Sequence, residues 1–325
     1  MISLESRAGS LGSGARKRFV AVLGPTASGK SALSLALAER LNGEIVNCDS
    51  TAVYRGLDIG TDKLPVAERR GVPHHLIDVA EPTETYTAAR FALDAARAVR
   101  EIDARGRVAI VVGGTGLYYR ALTRGLFPGP ARDEALRNRL YAVSARRGPE
   151  RLHRWIARVD PASAARIQPR DTQRMVRALE VYLLTGRALT SHFDATERPL
   201  PEFAPVPIAL APDRALIGER VARRVGLQFD AGIVAEIEGL LAAGVPRGAH
   251  AFSGLVYRQV LEMLAGVRDD AATRALIVQE NMRYAKRQLI WFRKEPNLKW
   301  IPATGEREDT RDAALAHIAA HAGHP

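Results

Sequence analysis

The stretch GPTASGKSALSLALAERL, Gly24 to Leu41, decides the fold. Gly24, Gly29, Lys30 and Ser31 fall at the spacing G-x-x-x-x-G-K-[ST], after an apolar run at 19–23 and before an amphipathic helical pattern. Strand, glycine loop and helix in that order are the setting a phosphate-binding loop requires. Its glycines let the backbone curl so that N–H groups point inward, Lys30 adds a point charge, and the Ser31 hydroxyl is placed to ligate Mg²⁺. The residues Gly24, Pro25, Thr26, Ala27, Ser28, Gly29, Lys30 and Ser31 are therefore the expected phosphate site. A nucleotide and any other diphosphate fit this loop equally well.

Outward from the loop, short apolar runs recur at 19–23, 44–48, 75–79, 108–112 and 206–210, mostly with helical patterns between them. That alternation predicts an α/β fold, a P-loop NTPase-like parallel sheet flanked by helices. Residues 87–105 carry Ala88, Phe91, Ala92, Ala95 and Val99 at helical spacing and stop at Gly106. From 131 the strands disappear, and RDEALRNRLYAVSARR, PERLHRWIARV and DTQRMVRALEVYLLTGR follow as helices, an inserted all-helical subdomain. The proline-rich segment 197–212 returns the chain to the sheet, with helices expected at 214–230, 233–243, 253–265 and 271–294. The expected organisation is a disordered leader over 1–18, a core over 19–130 and 197–302, a helical insertion over 131–196, and a loosely ordered tail over 303–325.

The 325 residues are 46% apolar, enough for a substantial core, and no run approaches the length of a membrane span. The leader lacks the apolar centre of a signal peptide, and the single cysteine, Cys48, excludes an internal disulfide framework or a cysteine zinc site. A cytoplasmic protein is expected, with Cys48 as filler in a buried strand. The net charge of +11 favours a polyanionic partner such as nucleic acid, although an Arg- and Ala-rich composition throughout accounts for it equally well.

A nucleoside triphosphatase of this architecture places an Asp after another strand to hold Mg²⁺. The run RVAIVVGGTG ends in glycines, whereas EIVNCDS presents Asp49 and HHLIDV presents Asp78. Strand carboxyl ends line the ligand crevice of a parallel sheet, so Asp49 is expected to face the loop as a base or metal helper. Its alternative role is to cap a turn with Ser50. Adjacent His74 and His75 point to opposite faces of a strand and are expected to be structural rather than metal ligands.

The blocks GPTASGKS, CDSTAVYRGLDIGTDK, PHHLIDVAEPTETYTAARF, VGGTGLYYRAL, DTQRMVRALEVY and KRQLIWFRK, in this order, closely resemble the tRNA dimethylallyltransferase (tRNA isopentenyltransferase) family from about 19 to 300. The resemblance implies transfer of a dimethylallyl group from dimethylallyl diphosphate to N6 of adenosine 37 in tRNAs reading UNN codons. The loop would hold the diphosphate leaving group with Mg²⁺ as cofactor, Ser31 being its ligand. Asp49 would be the general base, and Thr26, Lys30 and Arg224 complete the implied catalytic set, Arg223 being the adjacent alternative to Arg224. Implied contacts to the tRNA anticodon stem-loop are Asp49, Ser50, Thr51, Ala52, Thr115, Arg137, Gln173, Arg174, Met175, Val176, Arg177, Ser253, Tyr257, Arg258, Lys286, Arg287, Gln288, Trp291 and Arg293. Within DTQRMVRALEVY, Gln173 and Arg177 share one helical face while Met175, Leu179 and Tyr182 mark the packed side. Arg283, Lys286 and Arg287 form a basic stripe interleaved with Trp291, which also suits a solvated helix face.

The chain departs from the family pattern at Val256, where Gly usually precedes the Tyr, and at Asp62, where a small residue is common. No protein partner is required, and a monomer is expected. The competing functions are a small-molecule or nucleotide kinase, for which ATP would fill the loop, a prenyltransferase acting on free AMP, and a noncatalytic RNA-binding protein. The absence of an Asp after VAIVVGG speaks against the kinase, the helical insertion and basic last helix against AMP, and Lys30, Ser31 and Asp49 together against mere binding.

Overall fold

The structure is a computed structural model that describes residues 16–322. The expected leader lies mostly outside the described residues, and its last two positions, Lys17 and Arg18, already belong to the first strand. Six strands, β1 (Lys17–Leu23), β2 (Gly43–Asn47), β3 (His74–His75), β4 (Val108–Gly113), β5 (Phe203–Leu210) and β6 (Lys299–Ile301), form one sheet in the order β3-β2-β4-β1-β5-β6. Every pairing is parallel, with Val20 opposite Ile110 on one side and Val206 on the other. The central strands are buried on both faces, which is why they read as unbroken apolar runs.

Alternation along β1 sends Phe19, Ala21 and Leu23 to one face and Val20 and Val22 to the other. On the second face, α1 (Lys30–Leu41) contributes Leu33, Leu37 and Ala38. The first face is covered by α2 (Ala88–Ala104), α3 (Gly116–Arg124), α8 (Arg214–Asp230), α9 (Ile233–Ala242), α10 (Leu255–Leu264) and α11 (Asp270–Phe292). In α2 the Thr87 side chain accepts from the Arg90 amide at 3.1 Å, a cap of about 1 kcal/mol, and Phe91, Ala95, Val99 and Ile102 form the buried stripe. Among the described residues no helix is long and apolar enough to cross a membrane.

Two expectations need correction and one element was not foreseen. The strand expected at 75–79 stops at His75, because Leu76 and Asp78 take left-handed backbone angles (φ 61° and 56°). Asn47 holds the Leu76 carbonyl at 2.9 Å and Lys63 holds Asp78 at 2.5 Å in that conformation. The tail expected to be loosely ordered contains α12 (Glu308–Ala322), whose Ala314 is fully buried in the second-face core. Ala313, Leu315 and Ile318 pack beside Ala314 against that core. The unforeseen element is β6, an edge strand that a three-residue run does not announce.

The chain divides into two compact units, one holding positions up to 123 and from 199 onward, the other spanning 124–198, wider than the expected 131–196. The second unit is all helical: α4 (Glu134–Arg147), α5 (Pro149–Val159), α6 (Pro161–Arg166) and α7 (Thr172–Thr185) pack around Leu140, Leu152, Ile156, Met175, Val176 and Leu179. Glu180, fully buried, accepts from the Asp133 amide at 2.9 Å and pairs with Arg137 at 3.1 Å and Arg177 at 2.7 Å. Burial opposes its charge, but the Arg177 hydrogen bond and the amide hold its carboxyl below the usual range. Glu180→Ala strands the Arg137 guanidinium in the core and is expected to cost this unit about 3–5 kcal/mol, read by urea unfolding; Glu180→Gln, which keeps an acceptor, should cost less.

Candidate active site

The loop between β1 and α1 is shaped by two glycines. Gly24 has φ 145°, and a Cβ there would come 2.8 Å from the Leu210 carbonyl oxygen; Gly29 has φ 83°, and a Cβ there would come 2.7 Å from the Gly305 amide. Between them Ala27 is held at φ 61°, strained for a residue with a side chain. The result opens the amino end of α1, with its unpaired N–H groups, onto a cavity of about 960 Å³ at the carboxyl edge of the sheet.

Lys30 Nζ donates to the Pro25 carbonyl at 2.6 Å across the loop. Burial brings its ammonium down to about 8, the Arg224 charge pushes the same way, and Asp49 opposes both. Arg224 Nη1 donates to Thr26 Oγ1 at 2.8 Å, while Arg223 is exposed. The structure thus brings Arg224, not its neighbour, to the loop. Arg224→Ala is expected to lower kcat/KM for the anionic substrate about 10²-fold, whereas Arg223→Ala should stay near wild type in the same steady-state assay.

Asp49 follows β2 and lines the same cavity. Its Oδ1 accepts from the amide of Thr51 at 2.8 Å and from the Thr51 hydroxyl at 2.7 Å, so the turn it caps involves Thr51 rather than Ser50. Its Oδ2 makes no hydrogen bond among the described residues. The Ser50 amide donates to Thr115 Oγ1 at 3.1 Å, which ties the Asp49 turn to the glycine-rich end of β4. Asp78, the other strand-end acid, is engaged by Lys63.

One side of the cavity comes from α11, where sequence reasoning missed Tyr284 and expected Gln288 and Trp291 as RNA contacts. Gln288, almost fully buried, accepts from the Thr26 amide at 2.8 Å and donates to the Gly114 carbonyl at 2.9 Å, bridging the phosphate loop and the β4 glycines. Tyr284, one turn earlier, lies beside Thr115, and burial pushes its hydroxyl up to about 12. Trp291 packs over Gly116, where a Cβ would come 2.2 Å from the indole, and Arg120 stacks on the other contact at 4.4 Å. The spacing 284, 288, 291 marks one helical face, and read as such it identifies the inward side.

Several residues expected as RNA contacts are buried in the structure. Met175 and Val176 are core residues of the helical unit, and Arg137 is occupied by Glu180. Ala52 is buried, and so is Tyr257, whose hydroxyl donates to Glu236 Oε1 at 2.7 Å. Gln288 and Trp291 support the site from behind, as described. Val256 is likewise buried, on α10, at the lining of the cavity. Ser253, Arg258, Lys286, Arg287 and Arg293 are exposed in the first unit, and Gln173 and Arg174 in the second, where Arg177 is half-buried on Glu180. His74 and His75 bond to the Val72 carbonyl and Glu44 respectively.

Among the described residues no group of three or more His, Cys, Asp or Glu is placed to hold a metal. Ser31 is exposed in the first turn of α1. Such a sparse, all-oxygen donor set fits Mg²⁺, which usually takes one or two protein oxygens and completes its shell with phosphate and water.

Comparison with known proteins shows the family of the chain. The family model described as IPP transferase matches residues 52–295, beginning just past the phosphate loop and Asp49. A tRNA dimethylallyltransferase of Solibacter usitatus is 45% identical over 306 residues, covering 94% of this chain and 99% of the relative. The crystal structure of the full-length tRNA isopentenylpyrophosphate transferase of Bacillus halodurans superposes with a TM-score of 0.69 at 36% identity, covering 95% of this chain and 96% of that one. A eukaryotic dimethylallyltransferase acting on tRNA gives a TM-score of 0.74 at 26% identity, over 95% of this chain and 80% of that one.

Proposed function

The chain belongs to the IPP transferase family, and we propose that it transfers the dimethylallyl group of dimethylallyl diphosphate to N6 of adenosine 37 in tRNAs reading UNN codons. One observation carries this reading: the phosphate loop, Arg224 and the unengaged oxygen of Asp49 line one cavity, while β4 ends in glycines with no metal-binding acid. A phosphate site beside a free carboxylate suits the displacement of a diphosphate by a nucleophile that must lose a proton.

The exocyclic amine of adenine is a weak nucleophile because its lone pair is delocalised into the ring. Exposed bases of an RNA loop can be splayed out, and adenosine 37 would enter the cavity in that way. N6 attacks allylic C1, the C1–O bond breaks with its electron pair going to the diphosphate, and the N6 proton passes to Asp49 Oδ2. The inward amides of the loop, Lys30 and Arg224 stabilise the charge that grows on the leaving group. When bound, Mg²⁺ would be held by Ser31 and would supply Lewis-acid neutralisation of that charge. Thr26 and Gln288 keep Arg224 and the loop in register, and Thr115 keeps the Asp49 turn in place.

Exposed Arg258, Lys286, Arg287 and Arg293 are basic groups suited to RNA phosphates around the cavity's unit, and Gln173 and Arg174 extend that role to the helical unit. Action in the cytoplasm as a monomer completes the reading. It is tested by incubating purified protein with Mg²⁺, dimethylallyl diphosphate and unmodified tRNA, then weighing the digested nucleosides. A five-carbon gain confined to adenosine 37 supports it. Consumption of ATP with a small acceptor and no gain on the RNA would establish the kinase alternative.

A further inference from the structure

Arg224 is already paired before any substrate arrives. Its Nη1, besides donating to Thr26 Oγ1, lies 2.9 Å from Asp62 Oδ2. Asp62 stands in the loop after β2 at a left-handed backbone position (φ 51°), which Asp tolerates, and its Oδ1 accepts from Gln228 Nε2 at 3.1 Å. Gln228 is one helical turn beyond Arg224 on α8 and buried, and its Oε1 has no hydrogen-bond partner. The neighbouring Lys63 is turned away onto Asp58, Asp78 and the Tyr54 carbonyl, so the charged groups acting on Asp62 are Arg224 from α8 and Asp49 from the end of β2.

We propose that Asp62 is the resident counter-anion of the diphosphate subsite: it holds Arg224 against Thr26 while the subsite is empty, then releases it to the diphosphate and takes up a proton. The inference rests on the reading of Arg224 as a diphosphate contact. A diphosphate drawing on the same guanidinium sets its charge beside Asp62, and two like charges about 4 Å apart repel by about 4 kcal/mol at an effective dielectric of about 20. Protonation removes that repulsion. Partial desolvation pushes the Asp62 carboxyl, whose side chain keeps a third of its exposure, up to about 6 against the pull of Arg224 and Gln228, with Asp49 adding to the push. Once protonated on Oδ2, Asp62 is neutral and its Oδ1 still accepts from Gln228 Nε2. The consequence is a diphosphate subsite that binds less tightly above the Asp62 titration than below it.

The test is calorimetric titration of magnesium diphosphate into wild type, Asp62→Asn and Asp62→Ser from about pH 5 to about pH 7.5, a window in which Lys30 stays mostly charged and titrates alike in all three proteins. Both neutral variants should bind as wild type does near pH 5 and about tenfold more tightly near pH 7.5, because the competing charge is gone. Comparison at each pH cancels the titration of the ligand itself. A ratio that does not change with pH, or weaker binding by both variants, overturns the proposal. Failure of wild type to bind diphosphate at any pH, or unchanged binding by Arg224→Ala, instead overturns the underlying reading of the subsite.

Discussion

Asp49→Asn is expected to lower kcat for prenyl transfer about 10³-fold while leaving tRNA affinity close to wild type. The substitution separates the two roles the geometry gives this residue. Asn retains an Oδ1 that accepts from the Thr51 amide and hydroxyl, so the turn after β2 survives. It cannot take the N6 proton. Asp49→Ala removes both functions and should add a loss of stability of about 1 kcal/mol from the lost turn contacts. Single-turnover transfer, filter binding of tRNA and thermal unfolding of the three proteins distinguish the cases. An Asn variant with wild-type kcat beside a destabilised Ala variant would make Asp49 a turn residue only.

Lys30→Met should reduce kcat/KM for dimethylallyl diphosphate about 10³-fold, because it removes a buried cation aimed at the phosphate loop. The same substitution should stabilise the unliganded protein. Lys30 titrates near 8 in the folded chain against an ordinary 10.5, so the unfolded chain binds the extra proton between those values. Holding the buried charge therefore costs stability in full below about pH 8, and the cost fades as pH rises toward 10.5. At pH 7 the Met variant is expected to gain about 2 kcal/mol in urea unfolding, the size of this shift after allowance for partial solvent access. For wild type, diphosphate affinity should fall as pH rises through about 8. A variant that is both inactive and less stable would contradict the role of Lys30 as a functional charge kept at a structural cost.

The phosphate loop was legible because its chemistry is local: two glycines that must adopt positive φ, a lysine and a hydroxyl within eight positions, between a strand and a helix. Asp49 was legible for a related reason, since the parallel sheet places every strand's carboxyl end at one edge. The pairings of Arg224 with Thr26 and Asp62, and of Gln288 with Thr26 and Gly114, join residues far apart in sequence, and no spacing rule announces them. Basic residues on α11 drew the reading to its solvent face, while the side that builds the site carries Tyr284, Gln288 and Trp291. The segment after β6 was missed because its contact with the loop is made by backbone: the Gly305 amide donates to the Ser28 carbonyl at 3.0 Å. Likewise β3 ends early through side-chain bonds from Asn47 and Lys63 that override an apolar run.

The central claim is that the loop holds a leaving group and not a nucleotide. The direct measurement is the stoichiometry of inorganic diphosphate released per adenosine 37 prenylated, with ATP present at equal concentration. One diphosphate per modified adenosine, with ATP unconsumed, is the predicted result. Transfer that requires ATP hydrolysis, or ATP turnover without prenylation, would contradict it.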